Sequence, residues 1–164
     1  MNMTLSFGRI LPLLPALLFG ALFGCDTQGR QDDFVDDAGR TPEGYTGTNE
    51  LGGIVSEDRD DWRTSPIYAG KVRVDPAFPN PSFGPFVTIP VSVLEFDAVQ
   101  GGIVLRAEDG QGSLRLLDEV LDATQPGAYV LRFSPPLLGR TGLIRLFVFD
   151  RLGELISYGD LQIG

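Results

Sequence analysis

Few residue types in this chain can do chemistry, and their spacing narrows what that chemistry could be. There is no histidine, which removes the commonest general base and the commonest metal ligand. The single cysteine, Cys25, ends an apolar run from Ile10 to Gly24. Lys71 is the one lysine, and Ser65, the serine nearest before it, does not stand at Ser-x-x-Lys spacing. Carboxylates occur as local pairs: Glu95 with Asp97, Glu108 with Asp109, Asp118 with Glu119. Two carboxylates held at a fixed gap could cleave a glycosidic bond, but pairs this close along strands and turns read as solvated edges. The acidic clusters Asp32-Asp33, Asp36-Asp37 and Glu57-Asp58-Arg59-Asp60-Asp61 lack the ligand positions and turn glycine of a calcium loop. No catalytic residue, metal ligand or cofactor is expected, and the chain is read as not an enzyme.

The residues before Cys25 have the three parts of a secretory signal: a weakly basic start with Arg9, an apolar stretch, and a small residue before the cysteine. The stretch is shorter than the ~20 residues that span a bilayer as a helix, and Pro12 and Pro15 weaken it further as a permanent span. Leu22-Phe23-Gly24-Cys25 resembles the lipobox of bacterial lipoproteins, with Leu first, a small residue before the cysteine, and the cysteine itself; Phe23 departs from the usual small or β-branched residue. The resemblance implies diacylglycerol on the Cys25 thiol, cleavage between Gly24 and Cys25, and acylation of the new amine. A plain cleaved signal and an uncleaved short anchor are the alternatives. Each buried methylene contributes about 0.8 kcal/mol, so two or three acyl chains hold a protein where one does not. The expected address is a bacterial cell envelope, on the outer rather than the inner membrane. The membrane is the first partner, and no thiol is left for catalysis or for a disulfide.

The chain carries a formal charge of −9, and residues 26–62 hold 11 acidic and 3 basic residues. Without a basic footprint, nucleic acid is a poor partner, and so is an anionic lipid surface bound through charge. Between Asp26 and Asp61 apolar residues such as Phe34, Val35, Leu51 and Ile54 follow neither helical nor strand periodicity. Residues 25–61 are therefore expected to be an acidic disordered tether, unable to offset its ordering entropy by burial.

From Trp62 the texture changes to short β-branched, aromatic or leucine-rich segments between turn signals. Phe86–Phe96 alternates, with Pro90 arguing for an edge position or a bulge. Gly102–Glu108 and Ala128–Ser134 also alternate, and Leu143–Phe149, apolar on both faces, predicts a central strand. Asp150-Arg151-Leu152-Gly153 predicts a hairpin turn with glycine in the left-handed position. Ser113–Ala123 also suits a helical stripe but is read as a strand bent or bulged near Asp118. Trp62 and Tyr68 are expected to cover one end of the core. About seven strands over residues 62–164 predict an all-β, immunoglobulin-like β-sandwich.

Pro76-Ala77-Phe78-Pro79-Asn80-Pro81, the alternating strand Val87–Val93, Ala107-Glu108-Asp109-Gly110 and Gly142-Leu143-Ile144-Arg145 together resemble a known module. It is the Ig-like module near the C-termini of type IX secretion cargo and in flagellar hook-capping proteins. The resemblance implies the sandwich fold. The basic residues that end such sorting domains are missing from Asp160–Gly164, so the sorting function is not carried over. The expected function is a non-catalytic, lipid-anchored domain that contacts a protein or envelope polymer, with Phe78, Phe83 and Phe86 as a possible contact surface. Their bland role is to close the end of the core. The alternatives are a carbohydrate-binding module, which needs exposed rings among Trp62, Tyr45, Tyr68, Tyr129 and Tyr158, or a sorting domain of the type IX kind.

Overall fold

The computed structural model describes residues 25–164. The leader, Gly24 and the chemistry expected of the Cys25 thiol lie outside the described residues, and Cys25 enters only as the first residue of a helix. The elements in chain order are α1 (Cys25–Ala38), β1 (Gly47–Thr48), β2 (Ile54–Ser56), β3 (Arg63–Thr64), β4 (Val72–Val74), β5 (Val87–Val93), β6 (Gly102–Glu108), β7 (Leu114–Leu121), β8 (Gly127–Phe133), β9 (Gly142–Asp150) and β10 (Leu155–Ile163). Two antiparallel sheets, β3-β10-β9-β6-β7 and β4-β5-β8, form a sandwich-like body, and β1-β2 is a small separate hairpin. Over residues 62–164 there are eight strands, β3 to β10, where about seven were expected, and β1 and β2 come from the segment before them; β1, β2 and β3 are pieces of two or three residues, too short to show a period. None of the described helices is long and apolar enough to cross a membrane.

Alternation builds the core. On β5, Val87, Ile89, Val91 and Val93 are buried while the residues between them are half-exposed, and they meet Leu131 of β8 and Leu105, Leu146 and Val148 of the facing sheet. β-Branched side chains suit such a pleated, half-buried surface. The two-sided apolarity of β9 has its expected cause, since β9 lies between β10 and β6. Its Ile144, Leu146 and Val148 point into the core, and Arg145, Phe147 and Phe149 point to the outer face. Trp62 and Tyr68 are both buried in the core. The indole lies so close over Gly159 that a Cβ there would sit 2.2 Å from the ring. The segment Ser113–Ala123 supplies strand β7. Its register slips opposite Leu105 and Arg106, where Leu117 is the extra residue beside Asp118. Leu117 and Val120 pack on the core, whereas Leu114 and Leu121 face solvent, a split that a single helical stripe could not give.

The β9–β10 turn closes with Asp150 N–H donating to Glu154 O at 2.9 Å and Gly153 N–H to Asp150 O at 3.2 Å. Gly153 has φ +95° there, where a Cβ would be strained.

Two expectations need correction. Pro90 is on neither an edge nor a bulge: β5 is the middle strand of its sheet, in unbroken register with β8. The missing donor is accommodated on the other side. Asp75 N–H donates to Pro90 O at 3.0 Å, Pro90 has no N–H to return, and β4 ends one residue earlier. Pairing resumes only at Phe78 and Thr88. The second correction concerns residues 25–61, which do not form a tether. They fold into α1 and the β1-β2 hairpin, both packed on the sandwich. Phe34 and Ala38 of α1 are buried against Leu155 and Tyr158, and Thr46 and Thr48 are buried as well.

Candidate functional site

A cleft of about 500 Å³ opens where the end of α1 meets the outer face of β9 and β10, and its walls include Asp37, Asp61, Arg63, Arg145, Tyr158 and Asp160. Arg145 lies opposite Asp160 in the β9–β10 register, so one strand pair sets both side chains on the same face. Its Nε and Nη2 donate to the two Asp160 carboxylate oxygens at 2.8 and 2.7 Å, a bidentate pair largely out of water. Its Nη1 donates to the carbonyls of Asp37, Ala38 and Arg40 at 2.9, 3.2 and 2.8 Å. A helix ends with orphan carbonyls and partial negative charge, and this guanidinium satisfies both. It also lies over the Tyr158 ring, 4.7 Å from the centroid.

Arg63 completes the clamp by donating to Asp37 Oδ2 at 3.1 Å and to the Tyr158 hydroxyl. Asp37 is shared with Arg40 at 3.0 Å. Beneath them Asp61 accepts from Thr46 N–H through Oδ2 at 2.8 Å and from Asp160 N–H through Oδ1. Burial pushes the Asp61 carboxyl up to about 7, against the opposing pull of the two amide donors and with help from the Asp160 charge. Burial also raises Asp160, though Arg145 opposes the shift.

A buried carboxylic acid of raised pKa in a cleft is a familiar sign of acid–base chemistry. Here each oxygen of Asp61 and of Asp160 already has a donor within the protein, and each donor is a backbone amide or Arg145. The arrangement joins three pieces of chain: the end of α1, the segment entering β1, and the outer face of β9-β10. Its chemistry is that of a latch.

The sign of its pH response follows. A carboxyl whose folded pKa exceeds its unfolded value stabilises the fold most when protonated, and that contribution is lost as pH rises through the folded value. With about 7 against 3.8 for Asp61, stability should fall by about 2–3 kcal/mol between pH 5 and pH 8. The chain has no histidine, so no imidazole titration overlaps this window. Urea midpoints at the two pH values test it, and Asp61→Asn should flatten the slope. That variant should also lower stability by about 1–3 kcal/mol at pH 5, since an amide cannot accept from both backbone donors, and the deficit should shrink or disappear by pH 8, where the wild type has lost its own contribution. An equal slope in wild type and variant would place the titration elsewhere.

The carboxylate pairs noted in the sequence serve turns and edges. Asp109 Oδ1 accepts from Gln111 and Ser113 N–H, which pulls its pKa down, and Asp118 Oδ2 accepts from Arg132 N–H on β8 at 2.7 Å. Glu95 and Asp97 are exposed in the β5–β6 loop. No cluster of three or more potential metal ligands occurs among the described residues. Of the aromatic rings a sugar platform would need, Trp62, Tyr68 and Tyr158 are buried and Tyr45 and Tyr129 are half-buried. Tyr68 donates to Asp150 at 2.9 Å.

The candidate contact residues divide. Phe83 is 82% exposed and Phe86 is also exposed; Phe86 stacks under the Arg132 guanidinium at 4.3 Å. Phe78 is half-buried and packs on Gly52 of the β1-β2 hairpin. Phe83, with Pro135, Pro136, Ile163 and Gly164, borders a second groove of about 480 Å³ at the end of the sandwich where β5 and β9 begin.

Compared with protein-family models, curated proteins and solved structures, the chain matches none.

The latch residues were missed in the sequence. One signal was present: Arg145 is the sole charge inside Leu143–Phe149, and a lone guanidinium in an apolar strand calls for a buried anion. Nothing local identifies Asp160 or Asp61 as its neighbours.

Proposed function

We propose that this chain is a non-catalytic lipoprotein of a bacterial cell envelope, anchored by acyl chains on Cys25 and presenting an Ig-like domain for contact with a protein or envelope polymer. The observation that carries the non-catalytic part is the pairing at the heart of the charged cleft, where Asp61, Asp160, Asp37 and Arg145 are spent on one another, on Arg63 and on backbone groups. The lipobox-like Leu22–Cys25 supports the anchor, and the two antiparallel sheets are compatible with the Ig-like type. The contact surface is the end of the sandwich that carries Phe83 and Phe86 beside the proline-rimmed groove; exposed aromatic rings next to a groove are common anchors of protein recognition.

The anchor is tested in the native host by palmitate labelling and by globomycin sensitivity. Both should be present in the wild type and absent in Cys25→Ala. The contact surface is tested by capture from envelope membranes with wild type and with Phe83→Asp/Phe86→Asp. The variant should keep its melting temperature and lose the captured species, whereas equal capture by both forms would remove this end from consideration.

A further inference from the structure

The end of the sandwich opposite Phe83 is built from the β5–β6 loop, the β7–β8 turn and the β9–β10 turn, and these are tied to one another. Arg151 N–H donates to Gln100 O and Gly102 O, both at 3.2 Å. Asp97 N–H donates to Thr124 O at 2.8 Å. This fixed frame carries large apolar side chains outward: Leu152 is 77% exposed and Phe96 70%, and Leu94 and Leu121 are exposed beside them. Scattered apolar residues on a surface need no explanation. Four on interlocked turns at one end, on a frame that spends no ordering entropy to present them, are a different case.

The direction of α1 supplies the occupant. Its last carbonyls are held by Arg145, toward the start of β9. Phe34, a turn earlier in the helix, meets Tyr158 with ring centroids 5.1 Å apart and shares a buried cluster with Leu155 at the start of β10, and α1 also contacts the Pro66–Tyr68 turn, whose Tyr68 bonds Asp150 at the end of β9. The helix therefore runs toward its first residue, Cys25, in the direction of the Leu152 turn. Acyl chains on Cys25, the first residue of α1, would leave the chain at that end.

We infer that this end, through Leu152, Phe96, Leu94 and Leu121, lies in the interfacial layer of the bilayer. The orientation deepens the anchor reading of Cys25, on which it rests for its choice of a lipid partner. Glu95, Asp97, Asp122 and Glu154 outnumber Lys71 and Arg151 around this end, so the contact is apolar and needs no anionic lipid.

The test uses the full chain purified from membranes and placed in phosphatidylcholine vesicles with brominated acyl chains. Leu152→Trp and, as control at the far end, Leu137→Trp each add one indole to the buried and constant Trp62. Bromine should quench the new indole of Leu152→Trp at least several-fold more than that of Leu137→Trp, and aqueous iodide should show the reverse order. Equal bromine quenching, or iodide access to both, overturns the inference. Mass spectrometry of the same samples reads acylation of Cys25 separately. An unacylated chain that still shows bromine quenching at position 152 would sink the anchor and keep the docking face; an acylated chain without it would do the opposite. Leu152→Asp, at a fully turn-borne site, should keep the wild-type melting temperature while weakening retention on vesicles.

Discussion

Replacing Arg145 with alanine should cost about 3–5 kcal/mol of stability, the usual penalty for breaking a buried ion pair from one side. The loss has two sources. Asp160 keeps its place beneath the cleft with no cation opposite, and the carbonyls of Asp37, Ala38 and Arg40 lose their donor. Because α1 is short for an isolated helix, the second loss should release it. Urea denaturation measures the total; hydrogen exchange should show amides of residues 28–38 opening while those of β9 remain protected. A double-mutant cycle separates the contributions. Arg145→Met/Asp160→Leu should recover much of the loss in global stability, because it removes both charges, yet leave α1 poorly held. If Arg145→Ala changed stability by under about 1 kcal/mol, the guanidinium would be a surface group of the ordinary kind and the latch would not exist.

Asn80→Ala should be comparably severe. The fully buried side chain of Asn80 is a junction. Its Nδ2 donates to Thr46 O and Asp160 O, both at 2.9 Å, and its Oδ1 accepts from Gln162 N–H at 3.0 Å. Its main chain exchanges hydrogen bonds with Thr48. Alanine leaves two carbonyls and one amide buried without partners, each costing about 1–3 kcal/mol, so a loss of about 3–5 kcal/mol is expected. Asn80→Asp is the sharper comparison. It nearly preserves shape but turns a double donor into an acceptor facing two carbonyls, and at pH 7 it should be at least as damaging as alanine. Thermal melts of the three proteins decide it; an aspartate variant near wild type would mean that this side chain only fills space.

What the sequence made legible, and what it hid, divides by the range of the interactions. β9 and the turn after it could be read because two-sided apolarity and a left-handed glycine are properties of neighbouring residues. The strand character of Leu114–Leu121 could be read from its flanking turns, and its bulge from the pattern breaking near Asp118. The fold of residues 25–61 could not be read, because its supports come from elsewhere in the chain. By its own composition α1 is a poor helix, with Gly29 inside it and Asp36 and Asp37 at its negative end. It stands because Arg145 and Arg63 arrive from two strands to neutralise that end. The β1-β2 hairpin likewise depends on Asn80 and Asp61. Mean composition describes what a segment can bury by itself; it does not register a cation supplied by a residue some hundred positions downstream. The same holds for Pro90, whose missing donor is absorbed by the strand beside it.

One outcome of α1 lying on the sheet bears on where the chain can be cut. Acidity and glycine content invite a boundary at Trp62, which would discard the preceding residues as dispensable. A fragment begun there would bare Tyr158 and Leu155, normally hidden beneath the helix, and would strip Asp160 N–H and the Asn80 amide of partners in the removed stretch. A self-sufficient piece of this protein should reach back at least to Gln31 and Phe34, which α1 buries on the sheet, and recombinant boundaries that respect composition alone would yield a sticky remnant.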